Sequence, residues 1–331
     1  MKSKFFATCF CSLIAFAGLN QTTSAQIHED SPMNEDIASR LAQANAALLA
    51  QCPAVQHPQG EDQLPVHITS WGTTGPTVFF VHGGVQGGLG GGPETFAAQK
   101  ALSEQGWELK LIDRLGFGDS PSRGRDDMEA DAKLIADNLG TSAHLVGHSW
   151  GGAEALLAAA QRPDSVRSLI LIEPAVHPML LTDPQSMADP KVKAGIEMIG
   201  RLTLEAKTPA AFAMSFAQTL GESNPSEAAL MAHPETASAL GCSLLRGRRA
   251  TPATMRAAAD AVARARIPVL VISGGYSDRQ DETAEATARI LHGRHVVVRS
   301  PNHFIQQANA GEFNRAIVSF MRDVDRKKGA Q

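Results

Sequence analysis

A serine between glycines, a late histidine and carboxylates between the two are the parts of a nucleophilic site. The serine is Ser149, in Gly147-His148-Ser149-Trp150-Gly151. This G-x-S-x-G follows a short apolar run at 143–146 and precedes an alanine-rich stretch at 153–162, so it reads as strand, tight turn, helix. A serine at such a corner presents its hydroxyl out of the sheet, and the helix N-terminus offers free N–H groups to a developing oxyanion. Glycine is needed at 147 and 151 because a side chain there would collide with the corner.

A serine nucleophile needs a base, and the base needs an orienting acid. His303 lies in Ser300-Pro301-Asn302-His303-Phe304, just past the last strand. That is the carboxyl edge, shared with Ser149, where open α/β sheets bind ligands. The other histidines fit less well. His292 and His295 flank the start of that strand, at the opposite edge. His177 and His233 lie in an inserted region, His148 points elsewhere on the turn, and His82 reads as structural. Two acids qualify: Glu173, which ends the strand after the serine's helix, and Asp278, in the loop after a strand at 269–273. Both fall at the carboxyl edge, and the residues alone leave the choice open. The oxyanion hole needs two aimed N–H groups. Trp150 should supply one. Gly84, with Val85 next, should supply the other from the glycine-rich loop after a strand at 77–81.

The elements that must hold these residues alternate as strand and helix. Strands are expected at 66–71, 77–81, 108–112, 166–172, 269–273 and 295–299, besides the strand before the serine. Helices are expected at 34–50, 93–105, 128–139, 281–291 and 311–324. Continuous apolar runs such as Thr77-Val78-Phe79-Phe80-Val81 mark strands buried on both faces of a parallel sheet. From residue 175 the alternation stops for about ninety residues. Prolines at 178, 184, 190, 209, 225, 234 and 252 there separate short helical pieces. The fold class is therefore α/β: a mostly parallel sheet with helices on both faces and an inserted helical cap. The expected divisions are a leader at 1–25, an N-terminal helical extension at 26–60, a core at 61–174 and 266–331, and the cap at 175–265.

Composition narrows the class further. The 331 residues are 43% hydrophobic and 19% charged, as in ordinary globular proteins, with a net charge of −4 and no basic block. Nucleic acid is not an expected partner. The glycine-rich loop lacks the lysine-serine/threonine ending and the acid spacing of nucleotide sites. Lys2 and Lys4, an apolar run at 5–19 and the small residues Thr23-Ser24-Ala25 read as a secretory signal peptide cut after Ala25. The protein is then secreted or periplasmic, with no stable membrane span after cleavage. Cleavage takes two lysines and no acid, leaving 28 basic against 34 acidic residues, a net −6. It also removes Cys9 and Cys11. Cys52 and Cys242 remain in a compartment that tolerates a disulfide, paired or free.

Together these features resemble the α/β-hydrolase fold superfamily from about residue 66 to 324. The motifs that carry the resemblance are His82-Gly83-Gly84, Asp113-Arg114-Leu115-Gly116-Phe117-Gly118-Asp119-Ser120, the Ser149 elbow and His303. Most members resemble one another in placing an aspartate after the family's seventh strand, in the pattern strand, glycine, two residues, aspartate. Here that rule falls on Ser277, with Asp278 one residue late. A subset, including haloalkane dehalogenases and the zearalenone lactonase, carries its acid after the family's sixth strand, and Glu173 matches that placement. The resemblance thus implies the set Ser149, Glu173, His303. One departure is Asn302, where the family's histidine is often preceded by glycine.

The activity implied is a serine hydrolase cleaving a carboxylic ester or lactone through an acyl-enzyme, with no metal or organic cofactor. The partner is a small apolar ester or lactone; oligomeric state is left open. Met179, Leu180, Leu181, Met187, Met198, Phe212, Met214 and Phe216 would suit an apolar pocket. Two other readings compete. Prolyl aminopeptidases or amide hydrolases resemble the chain at His82-Gly83-Gly84, although Val85 replaces their proline. A non-catalytic, ligand-binding hydrolase fold is the alternative of another class.

Overall fold

A computed structural model describes residues 32–55, 64–88 and 90–329. The expected leader and its cut after Ala25 lie outside them. Seven strands form one sheet among the described residues: β1 His67–Trp71, β2 Thr77–Val81, β3 Glu108–Asp113, β4 Ala143–His148, β5 Val166–Ile172, β6 Val269–Ser273 and β7 Arg294–Val297. Their order is β1-β3-β2-β4-β5-β6-β7, and β1 alone runs antiparallel, against β3. Every residue of β4 and β6 is buried, and β2 and β5 each have one partly exposed residue. This is why their sequences are apolar without alternation.

Register places the site. Val81 pairs with Gly147 and His148 with Ile172, which pairs in turn with Ile272. The residues just past β2, β4, β5 and β6 therefore emerge side by side at one edge: His82, Ser149, Glu173 and Gly274. Each face of the sheet buries its own core. Helices Met128–Asn138, Ser149–Gln161, Pro252–Arg264 and Asp278–Ile290 cover one face. The 3-10 helix Ala97–Gln105 and the helix Ala310–Gly329 cover the other.

Some elements depart from the sequence expectation. The helix expected at 93–105 is a turn, Gly92–Thr95, followed by the 3-10 segment Ala97–Gln105. Phe96 breaks it with φ −114° and ψ 25°, its ring buried 4.8 Å from that of Phe80. Burying that ring outweighs helical continuity. The helix expected from 281 begins at Asp278, and the last strand ends at Val297 rather than 299. Between β5 and β6 the prolines open helices rather than end them. Pro184, Pro190, Pro209, Pro225 and Pro252 are each the first helical residue, where a missing N–H costs nothing. Asp183, Asp189, Thr208, Asn224 and Thr251 cap them from the preceding position.

Helices Pro190–Glu205, Pro209–Gln218 and Ala237–Arg246 make a layer over the carboxyl edge. The N-terminal helix Pro32–Leu49 packs on that layer, with Leu48 among Met198, Leu202, Phe212 and Leu245. Cys52 and Cys242 then form a disulfide between the two, with Cα atoms 5.7 Å apart and a separation of 190 positions in sequence. No described helix is long and apolar enough to cross a membrane.

A buried charge network lies under the site. Arg114, just past β3, is 1% exposed. Its Nε lies 2.7 Å from Glu154 Oε2, its Nη2 2.7 Å from Asp126 Oδ1, and its Nη1 donates to the Gly84 carbonyl at 3.1 Å. Arg123 pairs with Asp131 at 2.7 Å. Burial pushes the Glu154 carboxyl well up and that of Asp126 to about 6, with Arg114 pulling both back. Burial likewise disfavours the Arg114 cation, but Glu154, Asp126 and Asp131 together outweigh this and hold it charged.

Two stability measurements check this architecture. Arg114→Met strands buried carboxylates and should lower unfolding free energy by about 3–5 kcal/mol, read from the urea midpoint. A midpoint unchanged within error would show the network to be dispensable. Cys242→Ser opens a long covalent loop and should cost roughly 2–5 kcal/mol. Dithiothreitol should lower the wild-type midpoint equally and leave the variant's midpoint where it is.

Candidate active site

Ser149 follows β4 directly and is the first residue of the helix Ser149–Gln161. Its φ is +55°, a left-handed conformation that costs a non-glycine residue about 1–3 kcal/mol. The corner is tight. A Cβ on Gly147 would lie 2.6 Å from the Gly151 carbonyl oxygen, and one on Gly151 would run into that of His82. The other strained residue of the site is Glu173, with φ +38° at the end of β5. The Ala175 N–H donates to the Ser149 carbonyl at 2.8 Å and the Glu173 N–H to the Ile272 carbonyl at 2.9 Å. The first bond joins the two corners, and the second ties Glu173 to β6.

Glu173 Oε2 accepts from His303 Nδ1 at 2.6 Å, with both side chains buried. The carboxylate has further donors. The Gly274 N–H reaches Oε1 at 2.9 Å, and the hydroxyl of Tyr276, the chain's single tyrosine, reaches Oε2 at 2.8 Å. Burial, then the Glu173 charge, pushes the Tyr276 phenol far up, so it stays a donor. Asp278 is elsewhere. It opens the helix Asp278–Ile290 on the outside, largely exposed, 3.1 Å from Lys191 Nζ. Of the two acids open in the sequence, the structure brings Glu173 to His303 and leaves Asp278 on the surface. In the turn Gly274-Gly275-Tyr276 the first and third residues donate to Glu173 and the Gly275 N–H donates to Asp281 Oδ1, so the helix begins only after the cap residue Ser277.

His303 lies six residues past β7, in a loop tied to the cap. Its N–H donates to the Leu220 carbonyl at 2.8 Å. Asn302, the departure from glycine, uses its side chain. Nδ2 donates to the Glu222 carbonyl at 3.0 Å, and Oδ1 accepts from the Phe304 N–H at 3.0 Å. His148 packs on His303, ring centroids 4.6 Å apart, and its Nε2 donates to the His303 carbonyl at 3.1 Å. Burial, then the neighbouring His303, drives its pKa well down, so the ring is neutral. Sequence reasoning assigned His148 no role, yet it is one wall of the histidine's seat.

His82 is structural. Its Nδ1–H donates to the Gly83 carbonyl at 2.8 Å and its Nε2 accepts from the Arg114 N–H at 3.0 Å. Burial, then Arg114, lowers it to about 3. The Gly83 and Gly84 carbonyls are thus held by His82 and Arg114. In a trans peptide the N–H opposes the carbonyl, so the Gly84 and Val85 N–H groups turn away from these buried anchors. Gly84 reaches this shape with φ +85°. Gly84, Val85 and Trp150 all line the same cavity as Ser149 and His303.

That cavity encloses about 280 Å³ under the helical layer. Of the eight apolar residues expected around it, only Met198 and Phe216 line it. Met179 and Leu180 belong to the sheet core, with Leu181 and Met187 packed on it. Phe212 and Met214 pack among the cap helices. The apolar wall comes instead from residues such as Ile199, Leu230, Leu240 and Leu244. Helix amphipathicity shows that a face is buried but not against what. Glu173 is the one carboxylate of the described lining, and Arg249 and three further histidines (His148, His177, His233) add polar groups.

Comparison with known proteins agrees with this architecture. The family described as the alpha/beta hydrolase fold matches residues 76–307. A pimeloyl-(acyl-carrier protein) methyl ester esterase of Neisseria meningitidis serogroup C is 30% identical over 204 residues, 58% of this chain and 74% of that protein. Its serogroup A counterpart is 31% identical over 206 residues, but the match spans only 61% of that protein's length. A haloalkane dehalogenase from Bradyrhizobium elkani superposes with a TM-score of 0.60 at 20% identity, over 83% of this chain and 98% of that one. The last is a likeness of fold alone. The family match covers well over half of the chain, and the sheet order and the serine corner accord with it: the chain belongs to the α/β hydrolase fold family.

Proposed function

We propose that this protein hydrolyses a carboxylic ester or lactone through an acyl-enzyme on Ser149, with His303 as base and Glu173 as its orienting acid. The observation that carries the reading is the buried 2.6 Å contact between Glu173 Oε2 and His303 Nδ1, beside a left-handed serine in the same cavity. Glu173 holds the tautomer that leaves His303 Nε2 free to accept a proton. His303 takes the Ser149 proton as Oγ attacks the carbonyl carbon. The Trp150 and Gly84 N–H groups hold the oxyanion. Collapse breaks the bond to the leaving oxygen, which takes the proton from the imidazolium. Water then attacks the acyl carbon, passing its proton to His303, and Oγ leaves with that proton as the acid product departs.

The relatives named as ester hydrolases support an ester substrate. A prolyl-aminopeptidase-like activity is disfavoured. A substrate's free amine would need a carboxylate, and Glu173, the one acid of the described lining, is already engaged. Export is part of the same proposal. The leader pattern at 1–25 and the Cys52–Cys242 disulfide both suit an oxidising compartment.

Turnover of p-nitrophenyl butyrate and labelling of Ser149 by a fluorophosphonate test the chemistry. Ser149→Ala should abolish both. Glu173→Gln should lower kcat by about 1,000-fold or more, since it upsets the tautomer of His303, whereas Asp278→Asn should stay within about twofold. The opposite ranking of the two acid variants would overturn the assignment. Intact-mass analysis of protein recovered from the periplasm or medium should find a chain beginning at Gln26.

A further inference from the structure

One charge in the cavity wall is unused by this mechanism. Arg249 lines the cavity with Ser149, Trp150 and His303. Its neighbours in sequence are engaged: Arg248 Nη1 lies 3.2 Å from Asp127 Oδ2, and Arg246 bonds the Pro53 carbonyl. Arg249 has no hydrogen-bond or ion-pair partner among the described residues. Its guanidinium carbon lies instead 5.0 Å from the centre of the Trp150 ring.

The backbone keeps it there. The Arg248 N–H donates to the Asp126 carbonyl at 2.9 Å and the Met128 N–H to the Arg248 carbonyl at 3.0 Å. Gly247 lies so close to the indole that a Cβ would meet Trp150 Cη2 at 2.8 Å. The segment is clamped over Trp150, so Arg249 is not a surface arginine that has swung inward.

A guanidinium withdrawn from water without a carboxylate costs free energy that a paired one recovers. Burial lowers Arg249 to about 10, so it remains a cation at neutral pH. His177, also in the lining, is lowered to about 4 by burial and then by Arg249, and is neutral there. Glu173 is already engaged by His303, Tyr276 and Gly274. The cavity wall therefore carries one cation with no ion-pair partner among the described residues, on a planar fork suited to a carboxylate. A single cation matches a monoanion better than a phosphate dianion.

We propose that Arg249 binds a carboxylate of the substrate, so that the ester or lactone cleaved here bears a free carboxylate remote from the scissile carbonyl. This rests on the esterase reading above and narrows it to half-esters and related acids. The apolar wall formed by Ile199, Leu230 and Leu244 then takes the chain between the two groups.

The test compares two series on the wild-type protein and on Arg249→Met. One series is the mono-p-nitrophenyl esters of six- to nine-carbon dicarboxylic acids. The other is the neutral p-nitrophenyl esters of the matching monocarboxylic acids. A charge-assisted contact should raise wild-type kcat/KM for at least one half-ester roughly 10- to 100-fold over its neutral match. Arg249→Met should collapse that ratio, with the loss mainly in KM. The proposal is overturned if the wild-type protein prefers the neutral ester at every length. It is equally overturned if Arg249→Met lowers both series alike, which would make Arg249 a mere support for the Trp150 ring. Should Arg249→Met not fold, the wild-type ratio and its fall with added salt still decide. Turnover of neither series, with no labelling of Ser149, is a different outcome and overturns the esterase reading beneath it.

Discussion

The interaction on which most else depends is the buried contact of Arg114 with Glu154 and Asp126. It reaches four parts of the molecule at once: the end of β3, the segment just before the cap of the helix Met128–Asn138, the helix behind Ser149, and the Gly84 carbonyl. Charges taken from water cost several kcal/mol each, and a buried pair rarely returns a large surplus. Its value here is geometric. A guanidinium held by two carboxylates and a backbone carbonyl cannot rotate freely, so the Gly84 loop and the helix that opens at Ser149 are set relative to each other.

On that base the site concentrates its strain. Ser149 and Glu173 both have left-handed backbones, each just past the end of one of two adjacent strands. Each is disfavoured alone, and each is held by hydrogen bonds from its neighbour's side of the edge. The strain turns one side chain toward the cavity and the other toward His303. Strained conformations of this kind persist only where the surrounding structure over-determines them, and Gly83, Gly147, Gly151 and Gly152 supply close approaches around the corner that do so.

The cap contributes more than a roof. Leu220 and Glu222 hold the loop that carries His303, through its backbone and through Asn302. A movement of that cap segment would therefore reach His303 as well as the cavity. The N-terminal helix and the Cys52–Cys242 link hold the helices Pro190–Glu205 and Ala237–Arg246 from outside. The cavity wall and the histidine's position thus share one support.

The fold is legible in the sequence where the signal is local. Continuous apolar runs mark β2, β5 and β6, and β6 begins and ends where the run does. The elbow and the late histidine are legible as motifs in a βα setting, and Glu173 becomes legible once the aspartate rule is seen to fall on Ser277. The helix break at Phe96 is not legible, because it follows from a ring buried against Phe80. Tyr276 is 103 residues from Glu173 in sequence. Arg249 is a basic residue in a basic stretch until its neighbours are seen to take the available acceptors. The amino-acid sequence by itself determined the order of strands and helices and the placement of Ser149 and His303 at one sheet edge, since these depend on periodicity and short spacing. Only the tertiary structure decided the acid's full set of donors, the wall of the cavity and its unpaired charge, because each is a sum over residues that meet only when the sheet edge and the cap close on one another.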